Sequence, residues 1–251
     1  MVRVLVTRPE PGASRTAQRL EDLGFKPILL PLTETVALPV DADRIATNAA
    51  AVAVTSASAV RHAPKEIIAA LAGLPCHAVG RRTAEAARAA GFLSVSEGPG
   101  DAEALADALA GAYAGQTIVY LCGRVRFSGF EQRLQPAGIQ VRAVETYDTV
   151  ALDYPDEAVL ARLSGQPVEA VLLYSAKAAK AVQALAGRPA LGELFKKTWF
   201  FALSGRIAAA LETVASEKLR VAPEPSEEAL LELLRASPGP RVITPPLFTA
   251  W

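Results

Sequence analysis

The chain has 251 residues, of which 51% are hydrophobic and 21% are charged, a composition typical of a folded globular protein and not of a disordered one. Its 26 basic and 26 acidic residues give a formal net charge of zero, which offers no argument for binding to nucleic acid or to an acidic membrane surface. The length suits two domains, each large enough to bury its own core.

Cysteine and histidine are both scarce in the sequence. Cys76 and Cys122 do not form a CxxC pair, and with His62 and His77 they are too few for a disulfide framework or a zinc site. No apolar run reaches the roughly 18 residues of a membrane span, and the apolar opening Val2–Val6 is too short for a signal peptide. We therefore expect a cytoplasmic protein without metal.

Short apolar runs alternate along the chain with alanine-rich amphipathic segments. The runs are apolar almost throughout, as in strands that are buried on both faces of a parallel sheet. In chain order, the predicted strands are Arg3–Thr7, Ala51–Thr55, Cys76–Val79, Thr117–Leu121, Ala170–Tyr174 and Trp199–Leu203. The predicted helices are Ala13–Leu23, Ala57–Ala72, Thr83–Ala90, Ala102–Ala112, Phe127–Pro136, Ala176–Ala186, Ile207–Val214 and Glu227–Arg235. This alternation predicts an α/β fold.

The sequence contains an internal repeat, which predicts two similar α/β units. The aligned pairs are Val4–Leu38 with Ile118–Leu152, Ala51–Val60 with Ala170–Ala179, His77–Ala84 with Phe201–Ala208, and Asp101–Leu105 with Ser226–Leu230. Between the units, Leu32–Leu38 and Val144–Leu152 are predicted as extended linkers. Spacing alone leaves open whether these linkers pair with each other or whether the domains simply follow one another.

The residues that follow the predicted strands are hydroxyl-bearing residues, glycines, cations and one cysteine, and none is a carboxylate. Ligands of open α/β sheets bind at these carboxyl ends, where helix N-termini also present free N–H groups. The candidate binding residues are Arg8, Thr55, Ser56, Ser58, Gly80, Arg81, Arg82, Thr83, Cys122, Gly123, Arg124, Arg126, Ser175, Lys177, Ser204, Gly205 and Arg206. They predict a ligand with several negative groups, although serine and threonine at helix starts are also ordinary caps.

No conventional catalytic motif accompanies these residues. The sequence has neither a Walker A motif nor a GxGxxG after its first strand, so we expect chemistry without nicotinamide. Tyr147 lies on the second predicted linker, where its phenol could donate a proton to a leaving group. The alternative is that Tyr147 only packs there as a residue with high β-propensity.

Several motifs together resemble the bacterial uroporphyrinogen-III synthase family. They are Val4–Pro9, Val54–Val60, Ala78–Ala84, Leu121–Arg124, Val144–Thr149 and Tyr174–Lys177. The resemblance extends over roughly Val2–Arg235. It implies two flavodoxin-like parallel-sheet domains joined by a two-stranded linker, with the substrate between them. One domain would be discontinuous, 1–31 plus 153–240, the other would be 39–143, and the linkers would be 32–38 and 144–152.

The resemblance also implies the reaction. Members of this family are cofactor-free hydro-lyases that close hydroxymethylbilane, a linear tetrapyrrole rich in carboxylates, to uroporphyrinogen III with inversion of the last pyrrole ring, in haem biosynthesis. Tyr147 matches the family's tyrosine that is proposed to assist loss of the hydroxyl group as a general acid, while Ser56, Gly80, Thr83, Ser175 and Ser204–Ile207 match cleft positions. Ile207 departs from the family pattern, which has threonine there.

The expected partners follow from that family. They are the bilane itself and hydroxymethylbilane synthase, which would hand it over transiently, with no nucleic acid or membrane partner and a monomeric state. The alternative hypothesis from the same residues is a non-catalytic two-domain sensor that closes on a small anion.

Overall fold

The computed structural model of the chain describes residues 1–41, 45, 48–126 and 128–237. Phe127, where a helix was predicted to begin, and 238–240, assigned to the discontinuous domain, lie outside these residues. The chain divides into two compact units. We call Met1–Glu34 with the chain from Ala151 onward the first unit, and Thr35–Val150 the second unit.

The described residues form strands and helices in alternation over most of the chain. The strands are β1 (Arg3–Val6), β2 (Lys26–Leu29), β3 (Thr33–Ala37), β4 (Ala51–Val54), β5 (Pro75–Ala78), β6 (Ser94–Glu97), β7 (Thr117–Gly123), β8 (Gln140–Ala151), β9 (Ala170–Leu173), β10 (Trp199–Ala202) and β11 (Leu219–Val221). The helices are α1 (Gly12–Asp22), α2 (Ala57–Arg61), α3 (Lys65–Leu71), α4 (Arg81–Ala90), α5 (Ala102–Ala112), α6 (Gly129–Leu134), α7 (Asp156–Leu163), α8 (Ala176–Ala186), α9 (Gly192–Phe195), α10 (Gly205–Ala208) and α11 (Glu227–Ala236).

Each unit contains one sheet that is mainly parallel, which confirms the predicted fold class. The sheet of the first unit has the order β2-β1-β9-β10-β11, with parallel pairing throughout. In chain order this is the 2-1-3-4-5 arrangement of flavodoxin-like folds. The second unit has the order β8-β7-β4-β5-β6, also parallel, with β3 added beside β8.

The predicted internal repeat is confirmed by the strand orders. Its aligned segments place β1, β9 and β10 on β7, β4 and β5, and each sheet arranges its matching strands in the same sequence. The two sheets thus have the same arrangement of equivalent strands, but the chain forms these strands in a different order.

The two segments predicted as linkers pair with each other as β3 and β8. The amide of Leu38 donates to the carbonyl of Thr146 at 2.9 Å, and the amide of Leu152 donates to that of Leu32 at 2.9 Å. The partner numbers fall as the chain advances, so the pairing is antiparallel. This resolves the alternative that the spacing left open.

The central strands are buried on both faces, which explains their continuous apolar sequences. In β1, Leu5 packs with Val171 and Phe200 in one core cluster. Val4 and Val6 point the other way, into a second cluster. The second unit repeats this alternation along β4 and β7. No helix among the described residues combines the length and apolar character needed to span a bilayer.

Two predicted helices are wrong in extent. The helix expected over Ala57–Ala72 is split into α2 and α3 around Pro64, because proline has no backbone N–H and disfavours a helical residue before it. The helix expected over Ile207–Val214 stops at Ala208. After Ala208 the backbone makes i→i−3 bonds, from Ala210 to Ile207 and from Leu211 to Ala208, and the Thr213 amide donates to Gln183 Oε1 at 3.1 Å.

Candidate functional site

The predicted general acid, Tyr147, lies on β8 beside the carboxyl end of β7. It pairs with Gly123, at the position where the register of the two strands shifts. A Cβ built on Gly123 would lie 2.7 Å from Cζ of the tyrosine ring, so the ring packs directly on the glycine backbone. The phenol donates to Ser56 Oγ at 3.2 Å. The ring of His62, which was not among the candidate binding residues, lies 5.9 Å from that of Tyr147.

The hydroxyl groups after β4 are engaged within the second unit. Ser56 is the N-cap of α2, and its Oγ accepts from the amide of Ser58 at 3.2 Å, so it is a cap as well as the partner of Tyr147. Because both of these bonds use acceptor sites, the Ser56 proton stays available for a ligand. Thr55 Oγ1 pairs with the phenol of Tyr120 at 2.7 Å.

The start of α4 presents free donors at the carboxyl end of β5. Gly80 is its N-cap and offers no side chain, so the first N–H groups of the helix lack a capping oxygen. Arg81 and Arg82 are exposed and form no ion pair with any described residue. Thr83 is buried, with 5% of its surface exposed. These features suit an anion.

The arginines after β7 are already paired, contrary to the expectation that carboxylates are absent there. Arg124 lies 3.4 Å from Glu145 and 3.6 Å from Asp148. Arg126 lies 3.1 Å from Glu131 and 2.9 Å from Glu145. The hydrogen bond to Glu131 is the main reason that the pKa of Arg126 is raised. The two arginines and Glu145 line a pocket of about 640 Å³ with 38–41 and 143–144.

Cys122, predicted to bind substrate, is a core residue and that assignment is wrong. Only 1% of its surface is exposed, and its thiol donates to the carbonyl of Val144 at 3.7 Å. Burial raises the pKa of the thiol to about 12, so it stays protonated and cannot serve as a nucleophile. Strand β7 continues through Cys122 to Gly123, two residues beyond the predicted end, which is why this side chain points into the core.

Arg8, after β1 in the first unit, is also paired with a carboxylate. Its guanidinium lies 3.1 Å from Glu227 Oε1 and 4.2 Å from the centre of the Tyr174 ring. Glu227 further accepts from the Tyr174 phenol at 3.0 Å and from Arg19 at 3.0 Å. No local pattern in the sequence indicates this partner, because Glu227 follows Arg8 by 219 positions.

The remaining candidates of the first unit lie at the starts of two helices. Ser175 caps α8 by accepting from the amide of Ala178 at 3.1 Å, and Lys177 is half-buried in the same turn. Ser204, at the N-cap of α10, makes no such side-chain bond. Gly205 and Arg206 are exposed, and Arg206 forms no ion pair within the described part of the chain.

No cluster of three or more potential metal ligands occurs among the described residues. Ile207, where the family pattern has threonine, is buried with 4% of its surface exposed. It carries no hydroxyl group, so Ser204 is the hydroxyl of this turn.

Comparison with known proteins gives a consistent result. A crystal structure of uroporphyrinogen-III synthetase from Helicobacter pylori is similar over 93% of this chain and 98% of its own, with a TM-score of 0.60 and 18% identity. A mutant uroporphyrinogen III synthase from Thermus thermophilus is similar over 93% and 97%, with a TM-score of 0.50 and 17% identity. At these identities the likeness shows the fold. No curated protein sequence matches the chain.

A family model also matches the chain. The model of uroporphyrinogen-III synthase HemD matches residues 14–232, which is most of the chain. Nothing in the comparisons favours the sensor hypothesis. The chain therefore belongs to the uroporphyrinogen-III synthase HemD family, whose members are lyases of haem and porphyrin biosynthesis.

Proposed function

We propose that this protein closes hydroxymethylbilane to uroporphyrinogen III, with loss of water and inversion of the last pyrrole ring, and that the second unit supplies the proton donor. The family match supports the reaction. The observation that carries the site is the placement of Tyr147, packed on Gly123 and hydrogen-bonded to Ser56 at the carboxyl end of the sheet. In an open parallel sheet this is the edge where ligands bind.

The proposed step uses the phenol of Tyr147 as a general acid. Without substrate its proton is directed at Ser56 Oγ, and with substrate it is transferred to the terminal hydroxyl group as the carbon–oxygen bond breaks. The hydroxyl group leaves as water. Ring closure then releases one proton from the attacked pyrrole, which restores the phenol. Because the bilane is intrinsically reactive, holding it in one conformation supplies much of the rate and the choice of isomer.

The substrate carboxylates are proposed to bind at the starts of α4 and α10. Arg81, Arg82 and Arg206 are exposed and form no ion pair among the described residues, whereas Arg8, Arg124 and Arg126 are held by carboxylates. The internal repeat aligns Arg82 with Arg206, so each unit offers an arginine in the same place. Uncapped N–H groups of α4 add to the site in the second unit.

The decisive experiment supplies porphobilinogen and its deaminase, oxidises the products and separates the isomers. We expect the type III isomer to predominate when the protein is present. Formation of the type I isomer alone would refute the proposed function. Tyr147→Phe is expected to slow formation of the type III isomer without loss of the fold, and an unchanged rate would remove Tyr147 from the mechanism.

We further propose that the protein is a cytoplasmic monomer of two domains, 1–31 with 153–240 and 39–143, and that it receives its substrate transiently from hydroxymethylbilane synthase. Both of its cysteines are free and buried, as is usual in a reducing compartment. Light scattering after size exclusion tests the monomer. The transfer is tested by the time course of product formation. A lag that is present with added bilane alone and disappears when the synthase is present would support it.

A further inference from the structure

The Tyr147 side chain is held in a seat formed by its own unit, which we define as Gly123, Thr146, Ser56 and His62. We infer that Gly123 and Thr146 are positioning residues, which act on the reaction only by fixing where the Tyr147 hydroxyl lies. This inference rests on the proposed role of Tyr147 as general acid. It adds two residues whose own side chains need not touch the substrate.

Gly123 is the residue of the seat on which the ring of Tyr147 packs. A Cβ at this position would lie 2.7 Å from Cζ of Tyr147, a distance that real Cβ atoms essentially never show, and 3.0 Å from both Cε atoms. The ring would therefore have to leave its present position if any side chain were added. Since Cζ carries the hydroxyl, the displacement moves the proton donor itself.

Thr146 holds α2 in place beside Tyr147. Its side chain is fully buried, and its Oγ1 donates to the carbonyl of Ala59 at 2.7 Å. Ala59 belongs to α2, a helix of one to two turns that Ser56 caps at its start. A helix this short has few bonds of its own, so the threonine ties it to β8 next to Tyr147.

His62 lies at the C-terminal end of α2, with its ring beside that of Tyr147. Its Nδ1 lies 2.9 Å from the carbonyl oxygen of Ser58, which can only accept, so Nδ1 carries the proton and the ring is fixed. The ring then lies 5.9 Å from that of Tyr147, at an angle of 37°. Both Ser56 and His62 thus reach Tyr147 from α2, the helix that Thr146 holds.

The other unit shows that the fold does not need this seat. The alignment of Val4–Leu38 with Ile118–Leu152 places Pro9 on Gly123, Leu32 on Thr146 and Thr33 on Tyr147. Pro9, Leu32 and Thr33 lie outside the strands of the sheet β2-β1-β9-β10-β11, which forms without a counterpart of the seat. The sheet arrangement that the two units share therefore does not require Gly123 and Thr146 at these positions.

A double-mutant cycle separates positioning from a structural role. Gly123→Ala is expected to lower kcat for the type III isomer by about tenfold or more, because small displacements of a catalytic group are costly. In a Tyr147→Phe background the same substitution should change kcat little, since the displaced ring then lacks the hydroxyl group that donates the proton. An equal loss in both backgrounds would overturn the inference. Gly73→Ala, where an added Cβ meets nothing within 4 Å, is the matched control.

Variants of Thr146 provide a second test, which does not require the Gly123→Ala protein to fold. Thr146→Val keeps the shape but removes the donor to Ala59, and should lower kcat more than it raises KM. Thr146→Ser restores the hydroxyl group and should recover most of kcat. A serine variant as slow as the valine variant, with both still folded by circular dichroism, would contradict the positioning role.

The outcomes also distinguish this inference from the proposed function. If the wild-type protein yields no type III isomer, the proposed function fails. If it yields type III and Tyr147→Phe is slow, but neither Gly123→Ala nor Thr146→Val changes kcat, the function stands and the positioning role is refuted.

Discussion

At the scale of single residues, the arginines separate into two classes that the sequence could not distinguish. Arg82 and Arg206 are exposed without an ion pair among the described residues, and we expect alanine at either position to raise KM several-fold with little change in kcat. The effect should weaken as salt is added, because exposed charges are screened. Arg133→Ala, which removes an exposed arginine paired with Glu103 and Asp107, is the control and should leave KM unchanged. Equal KM values at low salt would exclude both sites.

Glu227 is the residue on which the polar cluster of the first unit depends. Burial alone would raise its pKa, but hydrogen bonds from Thr16 and Tyr174 and the charges of Arg8 and Arg19 outweigh burial and lower it. The stabilisation is therefore complete above the ordinary pKa of a glutamate and is lost as the pH falls through the lower value of the folded state.

Glu227→Gln should accordingly reduce the free energy of unfolding by about 1–3 kcal/mol at neutral pH, because buried partners lose a charged acceptor. The difference from the wild type should shrink in acid, where the glutamate is itself protonated. Urea unfolding at several pH values measures this. A difference that grows towards acid pH would contradict the assignment.

At the scale of elements, the serines at helix starts differ in whether their side chains cap the helix. Ser226 caps α11 by accepting from the amide of Ala229 at 3.1 Å, whereas Ser204 at α10 makes no cap bond. Ser226→Ala should cost about 1 kcal/mol of stability, the usual value of a cap. Ser204→Ala should cost little stability and, if its hydroxyl contacts substrate, should raise KM. Thermal unfolding and KM, measured on both variants, test the pair.

The extent of each element also shows where sequence patterns work. The central strands β1, β4, β9 and β10 were predicted to within about a residue, because strands covered on both faces are apolar throughout. The edge strands β2, β6 and β11 were missed. They are short and partly exposed, so polar residues interrupt the apolar pattern, and their strand character comes from the neighbour that they pair with.

At the scale of the whole molecule, the two units differ in how the chain builds them. The second unit is one continuous stretch, Thr35–Val150, which contains its core and nearly all of its sheet. We expect a fragment of 35–150 to fold with a cooperative thermal transition. A fragment of 151–237 should not, because it lacks β1, the buried strand between β9 and β2. Circular dichroism melts of both fragments test this, and a folded 151–237 fragment would contradict it.

The duplication places similar arginines, but not similar tyrosines, in the two units. Both units present an arginine at the start of a helix, at the aligned positions Arg82 and Arg206. Only the second unit has a tyrosine at the position that aligns with Thr33. In the proposed function, both units contribute to binding, and the proton donor is supplied by the second unit.

The sequence by itself determined the α/β class, the internal repeat and the edges of the sheets at which hydroxyls, glycines and cations collect. These properties are local, because burial on two faces and helix capping leave their signals within a few neighbouring residues. Only the tertiary structure decided that Arg8 is neutralised by Glu227, that Cys122 is part of the core, and that Tyr147 rests on Gly123 and Ser56. The partners of these contacts are separated by up to 219 positions, and nothing in the local pattern of either residue records which distant side chain the fold brings to it.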